Sequence, residues 1–330
     1  MGVDLADIIN GEVIEFSRLR GKTISIDALN TLYQFLAIIR QRDGEPLKDS
    51  KGRVTSHLSG LFYRTINLIE EGIKPVYVFD GEPPKLKRKT IKRREEEKRK
   101  ARDEMERARE EGRIEDVRRF AQRTLFLKED MIRDSKELLE CMGVPHVQAP
   151  SEGEAQASFM TERGDTYAAA SQDFDSLLFN APRLIRNLTI TGRRKLPRKN
   201  IYVTVEPEFI SLERELQNLK ISREELIEIG ILIGTDYNEG VSGIGPKKAL
   251  KIVREKKFSD YGLDELKELF LNPKVSEDYE MRFSSPDYER IKNFLCSEHD
   301  FSEGRVEKAF KRLEKALKDN VQQTSLDAFF

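Results

Sequence analysis

The stretch KTISIDALNTLYQFLAII, residues 22–39, reads as a β-strand followed at once by a helix. Its first part, KTISID, is rich in β-forming residues, and the apolar residues of the second part recur at helical spacing. Further β-rich runs occur at KPVYVFD (74–80), TYAAAS (166–171) and, with a weaker pattern, IYVTV (201–205). Strands that alternate with helices predict an α/β fold with a mostly parallel central sheet flanked by helices.

Acidic residues stand where these strands and turns end. Asp27 ends the first run, Asp80 ends the second, and the third leads into Asp173 and Asp175. Because ligands of parallel α/β sheets gather at the carboxyl ends of the strands, we expect these acids to meet. In an extended chain, residues two apart point to the same side, so Asp173 and Asp175 can face one point. The full set is Asp27, Asp80, Glu152, Glu154, Asp173, Asp175 and Asp236.

The segment APSEGEAQASF, residues 149–159, has two interpretations. Ser151 and Glu154 have the S-x-x-E spacing of a capping box, which predicts the start of a helix. A capping box needs one acid only, yet Glu152 is present as well. Residues two positions apart in a helix point in directions that differ by about 200°, so Glu152 and Glu154 would diverge if both were helical. At least one of them must therefore lie in the entry turn, where Gly153 permits a bend. The acids are therefore either helix-start residues or metal ligands.

The chemistry of the acidic set favours a metal site. Each acid taken alone is more simply a cap, a turn residue or a surface charge, but converging carboxylates repel one another unless cations neutralise them. The chain has only three histidines and two cysteines. Oxygen ligands without imidazole or thiolate select Mg²⁺ or Mn²⁺ over zinc. Two such ions about 4 Å apart can activate water and stabilise a leaving oxygen in phosphodiester cleavage.

A charged segment follows Asp80 directly. Residues 85–100 contain ten Lys or Arg, although the whole chain of 330 residues has a net charge of −1. The segment to about residue 123 is polar nearly all round, which predicts a solvated projecting helix, a helix ordered by a partner, or disorder.

Nowhere in the sequence does an apolar run approach the roughly 18 residues of a membrane span. Two cysteines without metal-ligand spacing favour a reducing, intracellular environment.

Several blocks together resemble the flap endonuclease family of structure-specific nucleases, in its archaeal form. These blocks, in the order of the family, are MGVDLADII, ISIDALNTLYQFL, YVFDGEPPKLK, APSEGEAQAS, AASQDFDSLLF and IGTDYNEGVSGIGPKKA. The resemblance covers essentially the whole chain and implies the 5′ nuclease (PIN-like) fold, with a helical arch and a helix–turn–helix DNA-binding element. The implied organisation is a nuclease core at 1–262, containing the arch at 81–130 and the helical hairpin at 222–257, a C-terminal helical region at 263–319 and a flexible clamp-binding tail at 320–330.

The resemblance also implies a role for each site residue. The seven acids would hold two Mg²⁺ ions, some through water, with Mn²⁺ able to substitute. Asp80, Glu152 and Glu154 would surround one ion, and Asp173, Asp175 and Asp236 would lie nearer the other. Asp80, Glu154, Lys87 and Arg94 would be catalytic, the last two as arch cations that attract the scissile phosphate. The amino end at Gly2, after removal of Met1, would lie beside the active site, and Tyr33 would stack on a base.

Two further segments carry binding motifs. Gly243, Gly245, Lys247 and Lys248 resemble the hairpin of the DNA-binding element, where backbone groups approach a phosphate or a monovalent cation; the alternative is an ordinary glycine-rich connector. Gln323, Leu326, Phe329 and Phe330 resemble the peptide that binds the sliding clamp (PCNA); the alternative is a docked core segment.

The function implied is Mg²⁺-dependent endonucleolytic cleavage of 5′ flaps on branched DNA, with a 5′→3′ exonuclease side activity. The expected roles are Okazaki fragment processing and long-patch base excision repair, by a protein that is monomeric alone and works in the archaeal cytoplasm or nucleoid. Two alternatives are a related junction or bubble endonuclease and a non-catalytic adaptor that binds DNA and the clamp.

Overall fold

The structure is a computed structural model that describes residues 2–41, 44–84, 86–111, 126–190, 192–195 and 202–327. Its strands, numbered in chain order, are β1 (Glu12–Val13), β2 (Thr23–Asp27), β3 (Lys74–Phe79), β4 (His146–Gln148), β5 (Ala168–Ala170), β6 (Arg183–Arg186), β7 (Gly192–Lys195), β8 (Tyr202–Val205) and β9 (Glu208–Ser211). Its α-helices are α1 (Ala28–Ile38), α2 (Ser56–Glu70), α3 (Lys87–Glu110), α4 (Glu129–Cys141), α5 (Gly153–Glu162), α6 (Asp175–Leu178), α7 (Leu212–Leu219), α8 (Arg223–Ile233), α9 (Pro246–Arg254), α10 (Lys267–Leu271), α11 (Tyr288–Lys292) and α12 (Glu303–Asp327).

Seven strands form one sheet in the order β1-β9-β6-β5-β2-β3-β4. The five strands from β6 to β4 are parallel, and β9 and β1 add two antiparallel strands at one edge. The chain runs from β2 outward to β3 and β4 and then returns to the other side of β2 with β5. The strand order therefore reverses between β2 and β5, which is where open α/β sheets bind their ligands.

Alternation along the central strands explains why both faces of the sheet are covered. Tyr77 and Phe79 of β3 pack into a core with α1, α2, α4 and α12, whereas Val76 and Val78 pack on the other face with α5. Successive side chains of a strand point to opposite faces, so each face of β3 has its own apolar set. A third core joins Leu184 of β6 to α8 and α9. The prediction of a mostly parallel sheet between helices is confirmed.

Three of the four predicted strands lie in the main sheet as expected. The fourth, IYVTV, forms β8 and pairs only with β7 in a separate antiparallel hairpin, so it does not extend the parallel sheet. The sequence did not indicate β1, β4, β6 or β9, which have two to four residues each. Strands this short carry too few residues for a period of two to be recognised.

Helices make up most of the described residues of the predicted arch and of the predicted hairpin. Helix α3 has 24 residues, and residues 112–125 of the predicted arch lie outside the described part. Helices α8 and α9 flank a turn, and α9 starts with Pro246. Helix α12 is continuous to Asp327, so no break in secondary structure separates the predicted C-terminal region from the tail. None of the described helices is long and apolar enough to cross a membrane.

Candidate active site

The predicted acids lie at the carboxyl edge of the parallel strands, on both sides of the point where strand order reverses. Asp27 is the last residue of β2, and its Oδ1 accepts a hydrogen bond from the Asn30 backbone N–H at 2.9 Å, which caps α1. Asp80 directly follows β3, and Asp173 follows β5. Because parallel strands share one carboxyl edge, side chains distant in sequence are brought together there.

Gly153 is required for a close contact between two segments of this edge. Its backbone N–H donates to Asp80 Oδ1 at 2.7 Å, and a Cβ on Gly153 would stand 2.7 Å from the same oxygen. The sequence predicted that this glycine permits a bend between two acids. The structure corrects that reason: the glycine lets a backbone amide reach the Asp80 carboxylate, which fits the rule that glycine marks a close backbone approach.

The start of α5 is not a capping box. Glu152 occupies the N-cap position without a side-chain capping bond, and Ser151 Oγ donates to the backbone carbonyl of Glu82 at 3.0 Å. Glu154 Oε1 accepts hydrogen bonds from Ser171 Oγ at 2.5 Å and from Ser176 Oγ at 3.4 Å. The capping interpretation of Ser151 and Glu154 is therefore wrong, while the expectation that one acid lies outside the helix is met by Glu152.

The amino end of the chain packs against Asp173 and Asp175. The Val3 backbone N–H donates to Asp175 Oδ1 at 2.7 Å, and a Cβ on Gly2 would lie 2.6 Å from both Asp173 Cβ and Asp175 Oδ2. The two acids are not in extended chain as predicted, because Asp175 is the first residue of α6 and Phe174 has helical dihedrals. The two acids therefore contact the same segment, Gly2 and Val3, and are not aligned on one side of a strand.

Lys87 places a positive charge among these acids. At the start of α3, its Nζ lies 2.5 Å from Glu152 Oε2 and 3.3 Å from Asp236 Oδ2, with 13% of its side chain exposed. A further ion pair joins Arg93 of α3 to Glu239, so two residues of the arch helix contact the turn between α8 and α9, within the predicted hairpin. The resemblance assigned Glu152 and Asp236 to different metals, whereas Lys87 brings them to one ammonium group here.

Burial raises the pKa of five carboxyl groups at this edge. The pKa of Asp27 and of Glu154 lies well above its usual range because of burial and repulsion, from Asp80 at Asp27 and from Asp175 at Glu154. Burial also raises the pKa of Asp80 and Glu152, and burial with the Asp236 charge raises the pKa of Asp175 to about 7. Burial alone would lower the pKa of Lys87, but Glu152, Asp236 and Asp80 raise it.

The donor set fits a hard divalent cation, although its geometry is not a finished metal site. Among the residues that the structure describes, no three His, Cys, Asp or Glu side chains form a group that could hold a metal ion as it stands. Several carboxylates are instead engaged by protein donors, as Asp80 is by Gly153 and Glu152 by Lys87. Buried, mutually repelling oxygens without imidazole or thiolate are nonetheless the ligands that Mg²⁺ and Mn²⁺ prefer. The predicted convergence is thus realised in position but not in coordination geometry.

The other predicted site residues are distributed around this edge and the hairpin. Tyr33 is half-buried against the first core, and Gly245 is the N-cap of α9. Lys247 and Lys248 are exposed, and Lys248 Nζ donates to the Gly243 carbonyl at 3.3 Å. Phe329, Phe330 and the side chains of Arg94, Gln323 and Leu326 lie outside the described part of the chain.

Two residues near the acids were missed by the sequence reasoning. Asn30 Nδ2 donates to Asp173 Oδ2 at 3.0 Å, and its only local signal is its position three residues after Asp27. Tyr237 follows Asp236, and burial together with Glu152 and Asp175 raises the pKa of its hydroxyl. Its phenol therefore stays protonated among the acids.

A mostly parallel sheet with clustered acids at its carboxyl edge, beneath a long basic helix, is the arrangement that the resemblance to the 5′ nuclease fold implied. The family model of the XPG N-terminal domain matches residues 1–101, and that of the XPG I-region matches residues 143–236. Flap endonuclease 1 of Pyrococcus furiosus is 57% identical, covering 100% of this chain and 99% of its own length. That of Staphylothermus marinus is 50% identical, covering 100% of both chains.

Solved structures agree with the sequence relatives. The flap endonuclease-1 from Methanococcus jannaschii superimposes with a TM-score of 0.78 at 45% identity, covering 96% of this chain and 99% of that one. The catalytic core of Rad2 in complex with DNA substrate gives 0.71 at 25% identity, covering 95% and 100%. The chain belongs to the flap endonuclease family, and both the resemblance and the fold predicted from it are confirmed.

Proposed function

We propose that this protein is a Mg²⁺-dependent 5′ flap endonuclease, which hydrolyses one DNA phosphodiester near the junction of a displaced 5′ strand and duplex. The observation that carries the proposal is the contact of Lys87, at the base of the basic helix α3, with Glu152 and Asp236. A phosphate attracted along α3 arrives at the buried acids. Relatives named flap endonuclease 1 and a relative bound to DNA substrate support the same activity.

The seven acids would hold two Mg²⁺ ions, which would activate a water molecule and stabilise the leaving oxygen. The set is Asp27, Asp80, Glu152, Glu154, Asp173, Asp175 and Asp236. With a metal neutralising Glu152 and Asp236, the ammonium group of Lys87 would be available to bind the scissile phosphate and to offset charge that builds up in the transition state. Arg94 would add a second cation from the same helix.

The surrounding surfaces would position the DNA. Tyr33 would stack on a base at the junction, and Gly243, Gly245, Lys247 and Lys248 would bind phosphates of one duplex arm or a monovalent cation. The hairpin contacts would be to the DNA backbone and the Tyr33 contact to the face of a base, so recognition would depend on shape rather than on sequence. The tail with Gln323, Leu326, Phe329 and Phe330 would bind the sliding clamp. The protein would work inside the cell on replication and repair intermediates, with a minor exonuclease activity.

Cleavage of labelled DNA tests the activity. A 5′ flap should be cut once near its junction with Mg²⁺ and left intact with EDTA, while a bubble and a four-way junction are cut much more slowly. Preference for the four-way junction would favour the related junction endonuclease. Tight binding of the flap without any metal-dependent product would favour the adaptor instead.

A truncation tests the tail. A protein that lacks residues 323–330 should cut the flap at the basal rate of the full chain but should no longer be stimulated by the sliding clamp. Loss of basal cleavage would show that the segment belongs to the folded core, and unchanged stimulation would show that the clamp binds elsewhere.

A further inference from the structure

A row of neutral polar side chains runs from the interior to Asp173. Asn30 Nδ2 donates to Asp173 Oδ2 at 3.0 Å, and the Asn30 amide oxygen accepts a hydrogen bond from Gln34 Nε2. Gln34 Oε1 in turn accepts from Thr189 Oγ1 at 3.4 Å. Asn30 and Gln34 are one helical turn apart on α1 and half-buried, and Thr189 is buried with 5% of its surface exposed.

The contacts give this row one direction of donation. The Asp173 carboxylate, when ionised, can only accept, so the Asn30 amide must present its NH₂ group to it. The amide oxygen of Asn30 then requires a donor, which the Gln34 NH₂ group supplies, and the Gln34 oxygen receives the Thr189 hydroxyl. Each amide is thereby held in a single orientation. Chains of this kind polarise one another and are stronger than isolated bonds.

The side chain of Asn30 is not needed to start α1. The capping bond of this helix joins Asp27 Oδ1 to the backbone N–H of Asn30, and every residue type except proline keeps that N–H. The amide side chain is directed instead at Asp173, a residue 143 positions away. Its contact is therefore with the acidic edge rather than with its own helix.

We propose that Asn30 is a positioning residue that orients the Asp173 carboxylate toward a divalent metal, with Gln34 and Thr189 fixing the Asn30 amide. This role rests on the proposed function, in which Asp173 is a metal ligand. Partners that orient a ligand are typically worth about 10–100-fold in metal affinity or activity. Asn30 acts through Asp173 and does not itself touch the reacting atoms.

Calcium binding without DNA tests the role without any measurement of cleavage. Calorimetry with Ca²⁺ should give at least about tenfold weaker binding for Asn30→Leu than for the unaltered chain. The matched control is Asn272→Leu, because Asn272 Nδ2 makes the same kind of bond to Glu268 Oε2, at 2.7 Å on the exposed end of α10. The control should bind Ca²⁺ normally. Equal affinity for the Asn30 and Asn272 variants would overturn the proposal.

A comparison of two substitutions separates positioning from packing. The row borders a cavity of about 10 Å³, which is near the lower limit for one water molecule. Asn30→Ala enlarges it, so water can enter and donate to Asp173, whereas leucine fills it with apolar atoms. We expect Ca²⁺ affinity to fall more with leucine than with alanine. If Asn30 only packs, Ca²⁺ affinity should fall more with alanine than with leucine, in the same order as the melting temperatures of the two variants in EDTA. That result would also overturn the proposal.

Gln34 provides a further check by non-additivity. Gln34→Leu should weaken Ca²⁺ binding less than Asn30→Leu, and the double variant should be no weaker than Asn30→Leu alone, since Gln34 acts through Asn30. Additive losses would exclude the relay. Failure of the unaltered chain to cut flaps, with Ca²⁺ affinities ordered as expected, would remove the proposed function only. Normal cleavage with equal affinities would remove the positioning role only.

Discussion

Two helices of this protein, α5 and α8, begin with the same S-x-x-E pattern, but the serine and glutamate of the two patterns make different hydrogen bonds. At α8, Ser222 Oγ accepts from the Glu225 backbone N–H at 3.1 Å, and Glu225 Oε2 accepts from the Ser222 N–H at 2.8 Å, which is a complete capping box. At α5, Ser151 and Glu154 make neither bond. The same four-residue spacing therefore permits a capping box but does not produce one when other donors compete for the side chains.

The two glutamates also respond in opposite ways to their surroundings. Hydrogen bonds from Lys256 and from the Ser222 backbone lower the pKa of Glu225, whereas burial and repulsion raise the pKa of Glu154. A lowered pKa means that the charged form stabilises the fold, and a raised pKa means that the charged form opposes it. The start of α8 thus contributes to stability, while the start of α5 lowers stability to keep its acids at the site.

The largest effect should come from the same substitution at both starts. Glu154→Gln should slow single-turnover flap cleavage at saturating DNA and Mg²⁺ by at least about 100-fold, because loss of a metal ligand costs several kcal/mol of transition-state stabilisation. Glu225→Gln should change the rate by less than about twofold. A Glu154→Gln protein that melts lower in EDTA but cuts at the normal rate would reverse the assignment of the two helix starts.

Lowering the pH should stabilise the metal-free protein because the buried acids around the start of α5 have a raised pKa. Carboxyls with a raised pKa bind more protons in the folded than in the unfolded chain, so stability falls as pH rises between about 4 and the pKa of about 7 at Asp175. Urea unfolding in EDTA should show a gain on the order of 1–3 kcal/mol from pH 8 to pH 5.5. The Asp175→Asn variant should show a flatter profile. Glu225 contributes in the opposite sense, because its stabilisation is lost only as pH falls below the ordinary carboxyl range. A profile that declines from pH 8 to 5.5 would contradict the inferred burial of charge.

Removing the lysine that pairs with each helix start should affect stability more at α5, where Lys87 pairs with Glu152, than at α8, where Lys256 pairs with Glu225. Lys87→Met leaves Glu152 and Asp236 without their shared cation and should lower stability in EDTA by about 1–2 kcal/mol, less than for a fully buried pair. Lys256→Met removes the ion pair with Glu225, in which Lys256 is 78% exposed, and should leave the free energy of unfolding nearly unchanged because solvent screens the pair. Denaturant titrations of both variants measure the difference. Equal losses would mean that Lys87 is as well solvated as Lys256.

The smallest effect should come from replacing Ser222 or Ser151, because each substitution removes one hydrogen bond, at a different place in the structure. Ser222→Ala should cost about 1 kcal/mol and lower the hydrogen-exchange protection of the first amides of α8. Ser151→Ala should leave the start of α5 protected and should loosen the segment at Glu82 instead, since its hydroxyl donates there. Exchange measured residue by residue distinguishes the two. Fraying of α5 in Ser151→Ala would restore the capping interpretation.

The position of the site could be predicted from the sequence because it depends on a general property of parallel sheets. Asp27 and Asp80 end recognisable strands, and such strands share one carboxyl edge, so their meeting followed without coordinates. The contact of Asn30 with Asp173 could not be predicted, because it joins helix α1 to a loop after β5 across 143 positions. Strands such as β4 and β6 were missed because their pairing comes from neighbours rather than from their own pattern.

The sequence by itself determined the alternation of strands and helices, the number of acids at strand ends and the basic character of α3, since these depend on residue types and on spacings of a few positions. The tertiary structure decided which S-x-x-E pattern becomes a capping box, why Gly153 is needed and whether a glutamate is favoured with its charge. The physical reason is that a capping bond is local, whereas burial and repulsion at Glu154 sum over Asp175, Asp27 and other segments that only the fold brings together.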